Sequence, residues 1–267
     1  MTDITIDVID RGSFSADLNY MVEGAVMAAN DDRNPTQEFI DFPVYNLVID
    51  HPEATILWDT GIHHECADGA WPDWMYNAFP APNAAEHRLD DDLAANGWRI
   101  DDIDYVFQSH LHVDHTGGLE FFADTDTPIL VHEEELKYAY YSAVSNAGSV
   151  SYLLSDIHHD LNWQVLHGNS VQLFEDIEWL FTPGHSPGLL STIVHLDDGH
   201  SIIFTSDESY TETNYVDEVP LGAGLLWNKQ IWLENLHFLK DLERRYDAEV
   251  VFGHDPDQFA EIEDGWE

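Results

Sequence analysis

The decisive stretch of this chain is SHLHVDHTGG, residues Ser109 to Gly118. It places three histidines and one aspartate within six residues, directly after a predicted strand. Side chains two residues apart on an extended chain point the same way, so His110 and His112 can hold one ion. Asp114 and His115 follow the strand end and can turn toward a second ion. Because solvent-exposed histidines seldom follow such a spacing, the stretch predicts a metal site.

The residue types indicate which metal the site would hold. Imidazoles with one or two carboxylates suit zinc and tolerate iron, cobalt or manganese, whereas the lack of thiolates argues against a purely structural zinc site. An open, catalytic centre of two divalent ions is expected, and it needs further ligands. Three candidates follow other predicted strands: His185 in TPGHSPG, Asp207 in TSD and His254 in GHD.

Taken in order, these motifs resemble the metallo-β-lactamase superfamily, in which H-x-H-x-D-H is followed by His, Asp and His. The resemblance implies that one ion is held by His110, His112 and His185. It implies that the other is held by Asp114, His115 and His254, and that Asp207 bridges both. Asp59, in a D-T-G turn, is similar to the acid that supports a ligand histidine in this family.

Two segments after Asp207, DESYT and DEVP, resemble the N-acyl homoserine lactonase branch of the superfamily. This resemblance implies a metal-dependent hydrolase that opens the lactone ring of N-acyl homoserine lactones with a hydroxide shared by the two ions. Tyr210 is expected to donate a hydrogen bond to the carbonyl oxygen as negative charge develops there. Asp114 is expected to carry a proton to the leaving alkoxide. Tyr210 could otherwise be an aromatic lid residue without a chemical role.

Hydrophobic periodicity predicts an α/β protein. The predicted strands are Ile4–Ile9, Val44–Ile49, Ala54–Trp58, Ile103–Gln108, Pro128–Val131, Val171–Phe174, Ile177–Phe181, Leu190–Leu196, Ser201–Thr205 and Glu249–Phe252. The predicted helices are Ala84–Asn96, Glu133–Val144 and Asn228–Tyr246. Paired early strands and later, intermittent helices favour a four-layer αββα sandwich, the metallo-β-lactamase fold. No linker is evident, so residues 1–267 are predicted to form a single hydrolase domain.

Three long segments are predicted to be loops: Gly61–Asn83, Ala147–Gly168 and Ser209–Trp227. The first carries an apolar set that either lines a pocket for an acyl chain or packs into the core. Its members are Trp71, Trp74, Met75, Tyr76 and Phe79. The remaining histidines, His63 and His64 among them, lack ligand spacing and are expected to be surface or loop residues.

Charge is the unusual feature of the composition. The 267 residues include 9 Lys+Arg and 52 Asp+Glu, which gives a net charge of −43. Such a chain repels phosphate backbones and anionic bilayers, so neither nucleic acid nor membrane is an expected partner. The composition resembles that of proteins from salt-accumulating halophilic archaea, although an acidic, cation-buffering protein would share it. One cysteine, no signal peptide and no apolar run of membrane-spanning length predict a cytoplasmic protein without internal disulfides.

Several functions share this set of potential ligands. A glyoxalase II-like thioester hydrolase or a phosphodiesterase would use a similar centre, but both need basic residues for anionic substrates, and this chain has few. A non-catalytic lactone- or metal-binding module is an alternative from a different class. The expected partner is a small lactone or ester, and a homodimer is left open.

Overall fold

The computed structural model describes residues 4–196, 199–222 and 224–266, which form two mixed sheets. The first sheet contains, in spatial order, β1 (Thr5–Asp17), β2 (Phe39–His51), β3 (Ala54–Trp58), β4 (Tyr105–Phe107), β5 (Pro128–His132) and β6 (Asn162–Leu166). Strands β1 to β3 pair antiparallel, and β3 to β6 pair parallel.

The second sheet lies against the first. Its spatial order is β11 (Glu249–Val251), β10 (Ser201–Phe204), β9 (Leu190–His195), β8 (Ile177–Phe181) and β7 (Ser170–Phe174). All neighbours pair antiparallel except β10 and β11, which are parallel. The helices are α1 (Leu18–Met21), α2 (Asp73–Ala78), α3 (Leu89–Ala95), α4 (Glu133–Ser145), α5 (Leu154–Ile157), α6 (Glu212–Val216), α7 (Lys229–Tyr246) and α8 (Pro256–Ile262).

Alternation along the strands creates the layers. Leu57 of β3 and Val106 of β4 face outward, where they pack with residues of α3 and α4. Their neighbours face the second sheet, and the rings of Phe107 and Trp179 stack across the interface with centroids 4.6 Å apart. On the far side of the second sheet, Ile203 packs with the buried face of α7. This confirms the predicted four-layer αββα sandwich.

Several predicted boundaries are wrong. The helix predicted over Ala84–Asn96 begins only at Leu89, because Ala84–Glu86 form a separate 3₁₀ turn and Arg88 has an extended backbone. Gly97, with a φ of +88°, follows the end of α3. The first strand extends to Asp17 rather than ending at Ile9. No helix in the described part of the chain combines the length and the apolar character that crossing a bilayer requires.

The three predicted loops also contain regular structure. Segment Ala147–Gly168 includes α5 and the edge strand β6, while the other two include α2 and α6. Strand β6 was missed because its sequence, NWQVL, leaves most residues exposed or half-buried and so lacks a clear apolar face. Pairing with β5, rather than local pattern, stabilises this strand.

Candidate metal centre

All seven side chains predicted as metal ligands converge at one edge of the sandwich. They follow the carboxyl ends of β4, β8, β10 and β11, which meet at this edge because the two sheets are packed face to face. The side chains form two groups that share Asp207. The first group comprises His110, His112, His185 and Asp207, and the second comprises Asp114, His115, Asp207 and His254.

In the first group, the Nε2 atoms of His110 and His185 lie 3.4 and 3.3 Å from Oδ2 of Asp207. Nδ1 of His112 lies 2.8 Å from Nε2 of His185. In the second group, Nε2 of His115 and Nε2 of His254 lie 3.3 and 3.2 Å from Oδ1 of Asp207. Each carboxylate oxygen of Asp207 therefore faces a different group, as a bridging ligand requires.

The atoms directed into the crevice are buried and have no hydrogen-bond partner. They are Nε2 of His110, His115 and His254, together with both carboxylate oxygens of Asp207. Leaving one buried polar atom unsatisfied costs about 1–3 kcal/mol, and here five such atoms face one another. Cations that accept these lone pairs would remove that cost, so the residues fit a centre of two divalent ions.

Hydrogen bonds on the opposite side of the rings fix their orientation. Asp59, as expected for the supporting acid, accepts a hydrogen bond from His115 Nδ1 at 2.8 Å. The same carboxylate accepts bonds from the backbone N–H and the hydroxyl of Ser109. On the other side of the crevice, Nδ1 of His254 donates to the carbonyl oxygen of Pro43 at 2.8 Å. These bonds direct Nε2 of both rings toward the crevice.

A buried carboxylate that the sequence did not reveal joins two of the loops. Oε1 of Glu135 accepts the Leu111 N–H and the Tyr152 hydroxyl, at 2.9 and 2.8 Å. Its Oε2 accepts the Ser186 hydroxyl and the Gly188 N–H, at 2.7 and 3.0 Å. Glu135 thereby connects the loop that carries His110 and His112 to the loop that carries His185. No local motif marks this role, because Glu135 is one of three consecutive glutamates at the start of α4.

Charge differs between the two groups. Burial lowers the pKa of His110 and His112 well below the ordinary value and that of His185 to about 3. These rings are therefore neutral, the form that binds a metal. Burial would also lower the pKa of His115 and His254, but the carboxylates of Asp207 and Asp114 outweigh it and raise both values. A cation at the second group thus competes with protons.

An open cleft lies over the metal-binding groups, with a volume of about 500 Å³ when the space open to solvent is included. His112, Asp114, Ser151 and Tyr210 contribute its polar part. Burial, followed by the charges of Asp207 and Asp114, raises the pKa of the Tyr210 hydroxyl well above its ordinary value. The hydroxyl therefore keeps its proton and remains a hydrogen-bond donor.

Most of the cleft wall is apolar. Of the five lid residues, for which pocket lining and core packing were both left open, four line the cleft: Trp71, Trp74, Met75 and Phe79. Tyr76 packs against the core instead and lines a separate hollow beside Cys66. Phe14, Met21, Val113, Val150 and Leu225 complete the apolar wall.

His63 and His64 lie in the loop after β3, as expected, but each has a potential partner that sequence spacing did not indicate. Both are partly buried, and each lies 3.6 Å from Oε1 of Glu120. The three residues form a third group of potential ligands. Sequence spacing could not reveal it, since Glu120 is 56 positions beyond His64 (120 − 64).

Comparisons with known proteins agree with this geometry. Residues 40–254 match the sequence profile of the metallo-beta-lactamase superfamily, and the chain belongs to that superfamily. It is 30% identical over 264 residues to the N-acyl homoserine lactonase AiiB of Agrobacterium fabrum, with 96% of this chain and 95% of that protein covered. It is also 30% identical over 224 residues to the N-acyl homoserine lactonase AiiA of Bacillus thuringiensis subsp. kurstaki, which covers 83% and 84% of the two chains.

A solved structure extends the similarity. An N-acyl homoserine lactone hydrolase with the product N-hexanoyl-L-homoserine at its catalytic metal centre superposes with a TM-score of 0.82. The two chains are 27% identical, and 98% of this chain and 97% of that one are covered.

Proposed function

We propose that residues 1–267 form one metal-dependent hydrolase that opens the lactone ring of N-acyl homoserine lactones. The observation that carries the proposal is the crevice itself, where unpartnered imidazole and carboxylate atoms lie beneath an apolar cleft. The similarity to lactonases over nearly the whole chain supports the choice of substrate.

The proposed ligands of one ion are His110, His112 and His185, and those of the other are Asp114, His115 and His254. Asp207 would bridge the two ions. Zinc suits this donor set best, and iron, cobalt or manganese would also bind. When bound, two divalent ions supply Lewis acidity and make a water nucleophilic near neutral pH.

The side chains around the crevice have distinct tasks. The protonated Tyr210 hydroxyl donates a hydrogen bond to the lactone carbonyl oxygen as negative charge develops on it. Asp114 lies at the border of crevice and cleft, with 15% of its side chain exposed, so its carboxylate can pass a proton to the departing ring oxygen. The apolar wall holds the acyl chain and excludes water from it.

Charge at the cleft separates the lactone from competing substrates. None of the described residues that line the cleft is Lys or Arg. The carboxylates of a glutathione thioester, or the phosphate of a phosphodiester, would therefore find no cationic side chain in the cleft wall beyond the proposed metal ions. A neutral lactone needs no such side chain.

A hydrolysis panel tests the proposal. Protein of measured metal content is assayed in molar KCl against short- and long-chain N-acyl homoserine lactones, lactoylglutathione and an aryl phosphodiester. We expect kcat/KM to be largest for a homoserine lactone. Faster turnover of the thioester would favour the glyoxalase II-like alternative. Lactone binding without turnover by metal-loaded protein would favour the non-catalytic module.

The acidic surface leads to a proposal about the environment. We propose that the protein works in a salt-rich cytoplasm of a halophilic archaeon, where screening removes the self-repulsion of 43 net negative charges. The melting temperature should rise by at least about 5 °C between roughly 0.1 and 3 M KCl, because the Debye length falls to about 3 Å near 1 M. NaCl of equal ionic strength is the control, since screening depends on ionic strength rather than on the identity of the cation. A rise in KCl without a comparable rise in NaCl would contradict the electrostatic explanation.

A further inference from the structure

Three potential ligands outside the crevice meet beside the segment that carries His115. They are His63, His64 and Glu120, here called the lateral cluster. His63 and His64 follow β3 and the Asp59 turn, and Glu120 lies in the 3₁₀ turn Leu119–Phe122. The cluster shares no residue with the two groups in the crevice.

Distances within the lateral cluster match those between ligands of one ion. Nε2 of His63 and Nδ1 of His64 each lie 3.6 Å from Oε1 of Glu120, which is too long for a good hydrogen bond. Ligands about 2.0–2.1 Å from a tetrahedral zinc ion lie about 3.3 Å apart. In the crevice, histidine Nε2 atoms lie 3.2–3.4 Å from the carboxylate oxygens of Asp207 and 3.7–3.8 Å from that of Asp114. The 3.6 Å distances of the lateral cluster fall within this range.

The two loops that supply these residues are packed tightly together. The Gly117 N–H donates to the Gly61 carbonyl oxygen at 2.7 Å. A Cβ at Gly117 would lie 1.9 Å from the backbone nitrogen of His63, so only glycine permits this approach. The cluster is thus held near its geometry before any ion binds, which lowers the entropic cost of binding.

The side chains are partly shielded from water. The exposed fractions are 14% for His63, 18% for His64 and 34% for Glu120, so an ion could enter from solvent. The two imidazole rings stack with centroids 4.9 Å apart. Burial lowers the pKa of His63, which keeps its ring neutral and able to bind a cation. The strongly negative protein also raises the local concentration of divalent cations.

One hydrogen bond opposes metal binding. Nδ1 of His63 accepts the Glu65 N–H at 3.1 Å, which places the ring proton on Nε2, the atom that faces Glu120. An ion at Nε2 would move that proton to Nδ1 and release the Glu65 N–H to water. The bond is exposed, so water can take its place and its loss costs little. Three charge-assisted ligand contacts outweigh this cost.

We propose that His63, His64 and Glu120 form a third divalent-cation site. Two imidazoles and one carboxylate select zinc or a similar transition ion over Mg²⁺ or Ca²⁺, which prefer oxygen ligands. The ion would clip the loop after β3 to the segment that follows His115. Its role is structural, because the site lies outside the cleft that receives substrate.

The test counts zinc on the full-length protein. Zinc-loaded protein is freed of loose metal by gel filtration, its metal is measured by mass spectrometry, and further zinc is titrated calorimetrically. The variants are His64→Ala and Glu120→Gln. His237→Ala is the matched control, since His237 also faces a glutamate, Glu218, at 3.2 Å on an exposed surface.

We expect three zinc ions in the wild type and in His237→Ala, and two in His64→Ala and Glu120→Gln. The third equivalent of zinc should raise the melting temperature of the wild type and of His237→Ala, but not that of the two cluster variants. A wild type that saturates at two ions, or cluster variants that still bind three, would overturn the proposal. The difference between wild type and variants is informative whether or not the crevice hydrolyses lactones.

Discussion

The two metal-binding groups beneath the cleft, here called its floor, and the apolar wall of the cleft are stabilised in different ways. On the floor, the second nitrogens of His115 and His254 are hydrogen-bonded to Asp59 and to the Pro43 carbonyl, and both rings are buried. In the wall, Trp74 is 54% exposed and contributes through its apolar surface alone. Hydrogen bonds therefore fix the groups beneath the cleft, whereas the wall proposed to hold the acyl chain is an apolar surface without such bonds to fix it. The two regions should respond differently to mutation.

Removing a floor ligand should have the largest effect. His110→Ala takes away a ring whose Nε2 points at Asp207, so we expect metal to be lost and kcat/KM to fall more than about a thousandfold. Metal analysis and lactone hydrolysis measure both effects. His195→Ala is the control, since that ring bonds to Ser201 on β10. Full activity with a normal metal content in His110→Ala would disprove its role as a ligand.

Tyr210→Phe should affect chemistry without affecting metal. Loss of an oxyanion donor lowers kcat by about 100- to 1000-fold, and metal content should not change. Tyr215→Phe removes a comparable hydroxyl that bonds to Glu243 instead, and we expect it to retain activity. If Tyr210→Phe turned over lactone at the wild-type rate, the hydroxyl would have no part in the reaction.

Glu135→Gln should weaken the support of the floor. Each oxygen of Glu135 accepts one backbone N–H, from Leu111 or from Gly188, so either orientation of a glutamine directs its NH₂ at a backbone donor. Chemical unfolding should show a loss of about 1–3 kcal/mol. Metal affinity should fall about 10- to 100-fold.

The neighbouring Glu134→Gln is the matched control for this substitution. The carboxylate of Glu134 is exposed and pairs with Lys137, so its replacement should change stability by less than about 0.5 kcal/mol. Equal effects of the two substitutions would show that the buried hydrogen bonds of Glu135 contribute nothing specific.

Changes in the wall should be smallest and should depend on substrate. Trp74→Ala removes apolar surface from the cleft, so kcat/KM for a long-chain lactone should fall about tenfold while that for a short-chain lactone stays nearly constant. Tyr76→Ala, two residues away but in a separate hollow, should affect neither substrate. Equal losses for both chain lengths in Trp74→Ala would show that the wall does not select the acyl chain.

The part of the site that could be predicted consists of short motifs after strands. His110, His112, Asp114 and His115 lie in one motif, and the strand before it is recognisable from its β-branched and apolar residues. Glu135 could not be predicted, because its partners are 17 to 53 positions away. The position of Tyr76 was left open for a related reason. An apolar loop residue can face either of two hollows, and composition does not distinguish them.

The sequence by itself determined the superfamily, the potential metal ligands and their order, because each ligand is tied to a local strand-end motif. It also determined the acidic character of the surface, which is a property of composition. Only the tertiary structure decided which carboxylate supports the ligand loops, which aromatic residues form the cleft wall, and that His63 and His64 meet Glu120. These features arise from packing between segments distant along the chain, and local periodicity carries no information about them.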